Sequence, residues 1–469
     1  MYTNPMEEGG NPRALISGPG AQLRIMLVMG FTIFLSVLNG TMFNVAVPDI
    51  SEEFSLLPSE VSWVLTGYIV VFAIGSAAYG KLGDIYRVKN LITAGLALMF
   101  AGSALGLVAR WYPLLVAARM VQASGGAAIP ALAMLVATRY FPYSVRGRAF
   151  GAIAASVALG AGVGPIAGGY IAGAFHWRFL FPIPMLTILA VPFFRRLLPD
   201  EEPRGGAFDL GGALLLGAGV GAALVFAAEL RWWLLAPSAG FVAWFVLHIR
   251  RAGAPFVKPE LFLNRRYASG LATIFLAMGT IFAMMFMTPI MLREVNGLGT
   301  FTIGLVFFPG AMSAAVLGPP GGRLVDRVGS TAVVRLALVC LALGFLLLSF
   351  VAGGGPRAVA ASLVVCYAGF SLLQASLAGA VSTSLSHGEM GVGMGLYNLI
   401  FFVSGAFGAA LIGKLLELLG GLAPLNPLVA AREAAPYSNL FLLFALASLA
   451  SLVVFGRAYG KGRSAKEGR

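Results

Sequence analysis

GKLGDIYRVKN, residues 80–90, packs one Asp, one Arg and two Lys between two apolar stretches, each long enough to cross a bilayer. The chain around it has 469 residues, 59% hydrophobic and only 11% charged. A soluble globular domain carries about 25% charged residues, so the composition describes an integral membrane protein. Cys340 and Cys366 both lie inside apolar runs and read as packing residues, with no disulfide framework, metal site or cofactor signalled. The first twenty residues lack the basic and apolar segments of a signal peptide and read as a short retained tail.

A spanning helix needs roughly 20 apolar residues. That criterion predicts spans near 24–46, 62–80, 90–110, 113–138, 147–174, 177–196, 210–229, 232–250, 267–291, 300–322, 330–352, 357–382, 390–416 and 437–457. Fourteen helices return both termini to one side. Of the 32 Lys and Arg residues, 24 fall in the tails and the loops on that side, seven on the opposite side, and Arg119 within a span. The positive-inside rule makes the terminal side cytoplasmic. The net charge of +13 is therefore a topology signal and a contact with lipid headgroups, not a nucleic-acid footprint. The first outer loop, DISEEFSLLPSE, carries four carboxylates and no base, as that orientation expects.

Two longer inner connections, 195–209 and 249–267, bracket one hairpin. The expected division is a tail over 1–23, six helices over 24–196, linkers and the hairpin over 197–266, six helices over 267–457 and a tail over 458–469. Gly80, Lys81, Leu82, Gly83, Asp84 is echoed by Gly322, Arg323, Leu324, Val325, Asp326, at an offset of 242 residues. Each copy follows the second helix of its six. Two parallel six-helix halves related by an axis along the membrane normal are the layout of major facilitator transporters.

Where one half rocks against the other, a charged turn can latch. Asp84 and Asp326 would accept hydrogen bonds from a neighbouring helix N-terminus or pair with an Arg in one conformation only, with Gly80, Arg87, Lys89 and Arg323 beside them. The plainer alternative has Lys81, Arg87 and Lys89 anchoring helix ends to headgroups. Residues 159–173, LGAGVGPIAGGYIAG, set Gly160, Gly164, Gly168 and Gly169 at spacings that let helices approach closely, and Pro165 removes a backbone hydrogen bond in mid-membrane. A tight helix pair and a shaped cavity wall are both consistent with it. Arg119 is costly at membrane depth and is a functional candidate, unless it snorkels from the outer end of its helix. Gln122 shares its face. Asn39, Thr41, Asn44, Gln374 and Asn398 are candidate cavity residues, or polar glue between helices. Phe282, Met284, Met285, Phe286 and Met287 offer an adaptable binding wall or a lipid-facing surface.

GKLGDIYRVKN resembles the signature after the second helix of major facilitator proteins, RMVQASGGAA their fourth-helix arginine motif, and GVGPIAGG the antiporter motif of drug exporters. The hairpin points to the fourteen-helix drug:proton antiporters. LNGTMFNVAVPDI, ATRYFPYSVRGRAFG, HIRRAGAPFV and GGRLVDRVG are most similar to the tetracycline-metal/proton antiporters. The resemblance implies an all-α major facilitator fold and export of amphipathic drugs from the cell membrane. It also implies exchange for protons, with Na+ or K+ as alternative coupling ions, by a monomer that performs no enzymatic chemistry. Intramembrane carboxylates of those antiporters fall by motif at Gly40, Ala161 and Gly405, and the usual Gly three residues after the loop Asp is Arg87. Proton coupling would then fall to Asp84, Asp326 or Arg119. Without central carboxylates, a cavity for neutral, anionic or lipid-like substrates, with Arg119 as counter-charge, is the alternative. A non-translocating sensor is a third. His176, His248 and His387 are scattered, and no nucleophile-base constellation appears.

Overall fold

The computed structural model describes residues 18–200, 209–251, 259–385, 390–419, 423–427, 429 and 432–460. Much of the expected linkers and both expected tails lie outside the described residues. Among these residues, fourteen helices are long and apolar enough to cross a membrane. In lipid every backbone N–H and C=O must be satisfied internally, which is why apolar runs of this length become helices. The first six are α1 (Pro19–Phe54), α2 (Pro58–Val61 running on as Trp63–Ile85), α3 (Val88–Leu107), α4 (Tyr112–Gly126 running on as Ala128–Tyr140), α5 (Tyr143–Ala174) and α6 (Trp177–Leu197). The hairpin is α7 (Leu210–Glu229) and α8 (Trp232–Arg251). The second six are α9 (Arg265–Glu294), α10 (Thr300–Val328), α11 (Ser330–Val351), α12 (Pro356–Ser382), α13 (Met390–Leu419) and α14 (Arg432–Tyr459).

Three stretches expected as loops or helix ends are helical. The first half of the acidic outer segment prolongs α1 to Phe54. Its carboxylates tolerate helical geometry because they stand at the membrane edge, where their chains reach water or basic partners. Gly80–Ile85 is likewise the last turn and a half of α2, and Gly322–Asp326 lies within α10. The charged connection therefore shrinks to the few residues before Val88, and each motif copy sits at the carbonyl end of its helix.

One apolar core, built from Ile25, Met29, Ile92, Leu132, Val136 and Phe194 among others, belongs wholly to the first six helices. A larger one runs from α1 and α2 into the second six through Met42, Phe43, Val64, Ile281, Phe286 and Phe307. The hairpin is not peripheral to this division. Leu224, Ala227 and Ala228 of α7 close against Val70 of α2 and Ala406 and Ala410 of α13, so α7 lies across the seam between the halves. At its foot, Asp209 caps α7 by accepting from the Gly212 N–H at 2.8 Å and meets His248 of α8 at 2.8 Å. Burial pushes the Asp209 carboxyl up, but those two hydrogen bonds and the positive charge of Lys81 outweigh it and hold it below the usual carboxylate range.

Candidate functional site

Arg119 lies two turns into α4 and is fully buried. It does not snorkel. Its Nη1 donates to Asn39 Oδ1 at 3.3 Å and to Gln122 Oε1, and its Nε donates to the Val64 carbonyl at 3.4 Å. Gln122 passes the chain on to Ser103 Oγ at 2.7 Å, and Asn39 donates to Tyr68 Oη at 3.3 Å. The guanidinium carbon stands 3.9 Å from the Phe43 ring centre and 4.1 Å from that of Tyr68. A planar cation between two π-faces recovers part of its lost hydration, each face contributing about 2 kcal/mol when desolvated. Nη2 is buried without a hydrogen-bond partner, and the described salt bridges include none to this arginine. The charge is thus held by neutral oxygens and rings rather than by a carboxylate.

The glycines of α5 divide by helical face. Gly160, Gly164 and Gly168 meet α1: a Cβ on Gly160 would stand 2.8 Å from the Phe34 carbonyl oxygen, and one on Gly164 would overlap Thr41 Oγ1. Thr41 donates to the Gly160 carbonyl at 3.3 Å, so it joins α1 to α5 within the first half. Pro165, Gly169 and Gly173 face α10 of the other half. A Cβ on Gly304 would lie 2.5 Å from the Pro165 carbonyl oxygen and 3.2 Å from the Gly169 Cα, and one on Gly169 2.9 Å from the Thr300 carbonyl oxygen. The motif is therefore both a pair contact inside one half and a backbone-on-backbone seam between halves.

Charges clasp the same seam on the side opposite the termini. Arg293, ending α9, reaches Asp49 at 2.5 Å and Glu52 at 3.4 Å on α1, and donates to Thr300 Oγ1 at 2.6 Å. Thr300 in turn donates to Asp49 Oδ2 at 2.7 Å. A second clasp has the Ser59 N–H of α2 donating to Glu417 of α13 at 3.0 Å, with Lys414 on the same carboxylate at 2.8 Å. Gly413 allows that approach, since a Cβ there would lie 2.8 Å from the Pro58 carbonyl oxygen.

The three positions where the resemblance places carboxylates differ from one another. A Cβ at Gly40 would meet no atom within 4 Å, so this face of α1, with half-buried Asn44 one turn on, opens on unfilled space. Gly405 is roofed by the Phe282 ring, 2.7 Å from where a Cβ would stand, and Ala161 is half-buried. Gln374 and Asn398 are exposed on α12 and α13. At the other end of the molecule, Gly80 and Gly322 also have no atom within 4 Å of an added Cβ, while Arg87 and Arg323 are exposed. The side chains of Asp84 and Asp326 lie outside the described residues. Arg139, at the end of α4, donates to the Gly83 carbonyl at 2.9 Å and so caps the free end of α2. Lys89 pairs at 2.8 Å with Asp200, just past the end of α6; that hydrogen bond and charge hold the Asp200 carboxyl below its ordinary range. Among the described residues no group of three His, Cys, Asp or Glu could hold a metal ion.

Sequence reasoning passed over Arg293, Thr300, Glu417 and the aromatic residues Tyr68, Phe72, Phe401 and Phe402. The available signal for the clasp was charge asymmetry: four carboxylates at one membrane edge without a base of their own, and few bases elsewhere on that side. Nothing in the sequence paired them.

Comparisons with known proteins agree with this architecture. The chain is 27% identical over 411 residues to the "Multidrug resistance protein Stp" of Mycobacterium tuberculosis (strain CDC 1551 / Oshkosh), covering 84% of this chain and 76% of that one. It is 28% identical over 443 residues to the "Probable actinorhodin transporter" of Streptomyces coelicolor, covering 87% and 75%. Among solved structures, a mutant of the peptide transporter POT in complex with alafosfalin superposes with a TM-score of 0.68 at 15% identity, over 93% of this chain and 95% of that one, a likeness of fold alone. The sequence profile of the Major Facilitator Superfamily matches residues 29–409. With its two six-helix halves, inserted hairpin and fourteen spans, the chain belongs to the Major Facilitator Superfamily.

Proposed function

We propose that this protein exports amphipathic, drug-like small molecules across the cell membrane by alternating access, with both termini cytoplasmic. The observation that carries the reading is the two-part seam between halves: glycine backbones of α5 and α10 in contact, and Arg293 clasping Asp49, on the side away from the termini. Such contacts hold in one conformation and part in the other, as a rocking transporter requires. With the bulk of the bases on the terminal side, the clasped side is extracytoplasmic, and the conformation is inward-facing. Two relatives bear the words multidrug resistance and transporter in their names. Tetracycline-like compounds are the first substrates to test. Gly40 and Asn44 of α1, and Gln374 and Asn398 of the second half, are the proposed cavity residues, and proton exchange would run through Asp84, Asp326 or Arg119.

One observation favours a second reading, transport of neutral or anionic solutes without proton exchange. Arg119 is buried on neutral partners with one nitrogen unpaired, and Gly40 and Gly405 offer no carboxylate to a cationic cargo or a proton. Purified protein in proteoliposomes with an imposed pH gradient separates the two. Tetracycline uptake that collapses with the gradient and is matched by proton counterflow supports the antiporter. Gradient-independent transport supports the second, and absence of any solute movement refutes both.

A further inference from the structure

An unbroken run of aromatic rings crosses from one half to the other. It begins at Arg119, whose guanidinium lies over Tyr68. Tyr68 stacks near Phe72 with centroids 5.9 Å apart and planes at 22°. Phe72 of α2 then meets Phe402 of α13 at 5.3 Å and 63°. Phe402 contacts Phe401 at 5.0 Å and 76°, and Phe401 contacts Phe282 of α9 at 6.0 Å and 89°. These separations fall in the range of attractive ring pairs. Phe282 is the ring that roofs Gly405.

Two features set this run apart from ordinary core packing. Tyr68 is buried, but Phe72, Phe282, Phe401 and Phe402 are each only partly buried, although they stand mid-span where two halves meet. And Phe72–Phe402 joins helices that separate whenever the halves rock apart, so this edge-to-face contact must be lost and replaced in each cycle. Lipid-facing rings need no partner across the seam, and permanent core rings would be fully covered.

We infer that Phe72, Phe402, Phe401 and Phe282 form the substrate wall, and that its ligands are flat, multi-ring aromatic solutes, neutral or anionic, whose rings take the place of the Phe72–Phe402 contact. The face of an electron-rich flat solute offers a phenylalanine edge the same negative π-surface that Phe72 and Phe402 offer each other, so it can take either ring's place in an edge-to-face pair. Charge selection follows from the surroundings. Arg119 is the fixed cation at one end of the run, and Gly40, open to unfilled space, and Gly405 contribute no negative charge. The inference deepens the proposed export and rests on it for its context, though binding can be measured without transport.

The test uses the full chain in nanodiscs and three probes: pyrene-1-sulfonate, a flat four-ring anion; cholate, a saturated four-ring anion; and ethidium, a flat cation. Pyrene-1-sulfonate is expected to bind at least about 10-fold more tightly than either of the others, the amount one to two ring contacts supply. Phe72→Leu and Phe402→Leu should each weaken it by about 10-fold, and Phe402→Tyr, which keeps the ring, should stay within about 3-fold of the parent. Leucine fills much of the same volume, and the tyrosine variant guards against loss by misfolding. Cholate binding as tightly as pyrene-1-sulfonate, or leucine variants that bind like the parent, would overturn the inference. If tetracycline is transported while pyrene-1-sulfonate neither binds nor competes, export stands and the aromatic wall falls. If pyrene-1-sulfonate binds through Phe402 and no solute is ever moved, the wall stands and the transport reading fails.

Discussion

Valine in place of Gly304 should tip the conformational equilibrium without unfolding the protein. Its Cβ alone would lie 2.5 Å from the Pro165 carbonyl oxygen, where ordinary contact begins near 3.4 Å, and the obstructing atoms are α5 backbone that cannot rotate away. Overpacking of this kind costs roughly 1–3 kcal/mol. In a folded core that cost appears as lower stability. Here the two helices belong to different halves, and parting them relieves the clash, so the penalty falls on the clasped conformation alone. A shift of that size changes the ratio of conformers by roughly 5- to 150-fold. Spin labels at Trp111 and Arg357, exposed residues on the clasped side in the first and second half, report the ratio through their distance distribution. Gly304→Val should move it to longer distances while the melting temperature holds. Gly164→Val supplies the contrast: its Cβ overlaps Thr41 within one half, so it should lower the melting temperature and leave the distances alone. Gly304→Val lowering stability with no change in distance would refute the assignment of this contact to a seam that opens.

Removing the clasp acts in the same direction. Asp49→Asn or Arg293→Gln deletes charge-assisted hydrogen bonds worth about 1.5–3 kcal/mol between partners that are mostly shielded, so the same label pair should lengthen, and high salt should add little further. Arg119→Lys should lower thermal stability and solute transport despite keeping the charge, because an ammonium cannot donate in a planar fork while stacked between Phe43 and Tyr68; equal activity of the lysine variant would show that only charge matters. The hairpin gives a pH test. The Asp209 carboxyl is depressed in the folded protein, so its contribution is fully present above the ordinary carboxylate pKa of about 3.9 and is lost as pH falls through the lower folded value. The difference in melting temperature between parent and Asp209→Asn should therefore shrink as pH falls below about 4; a difference that persists unchanged down to about pH 2 would place the titrating group elsewhere.

Most of the architecture was legible because the bilayer simplifies it. In lipid a run of twenty apolar residues satisfies its own backbone groups as a helix, so the count of spans and the interruption after the sixth follow from one dimension of information, and the repeat of Gly80–Asp84 at Gly322–Asp326 is read directly from the chain. The glycines of α5 were legible as contact residues for the same reason: spacing reports which residues share a face. Spacing does not report what that face meets. That Gly164 touches Thr41 of its own half while Gly169 touches Thr300 and Gly304 of the other was decided by tertiary packing, as was the placement of α7 across the seam.

The same division holds for the charges. Composition alone made Arg119 conspicuous, since an arginine inside a span is expensive wherever it lies. Only the folded chain decided that it is stabilised by two rings and neutral oxygens rather than a carboxylate, because Phe43, Tyr68 and Asn39 come from helices whose relative rotation is invisible in sequence. Arg293 and Asp49, 244 residues apart, are ordinary singly and meet only because the folded halves lie against each other. Local hydrophobicity determined where this protein crosses the membrane; the contacts that join its two halves are long-range, and those belong to the tertiary structure.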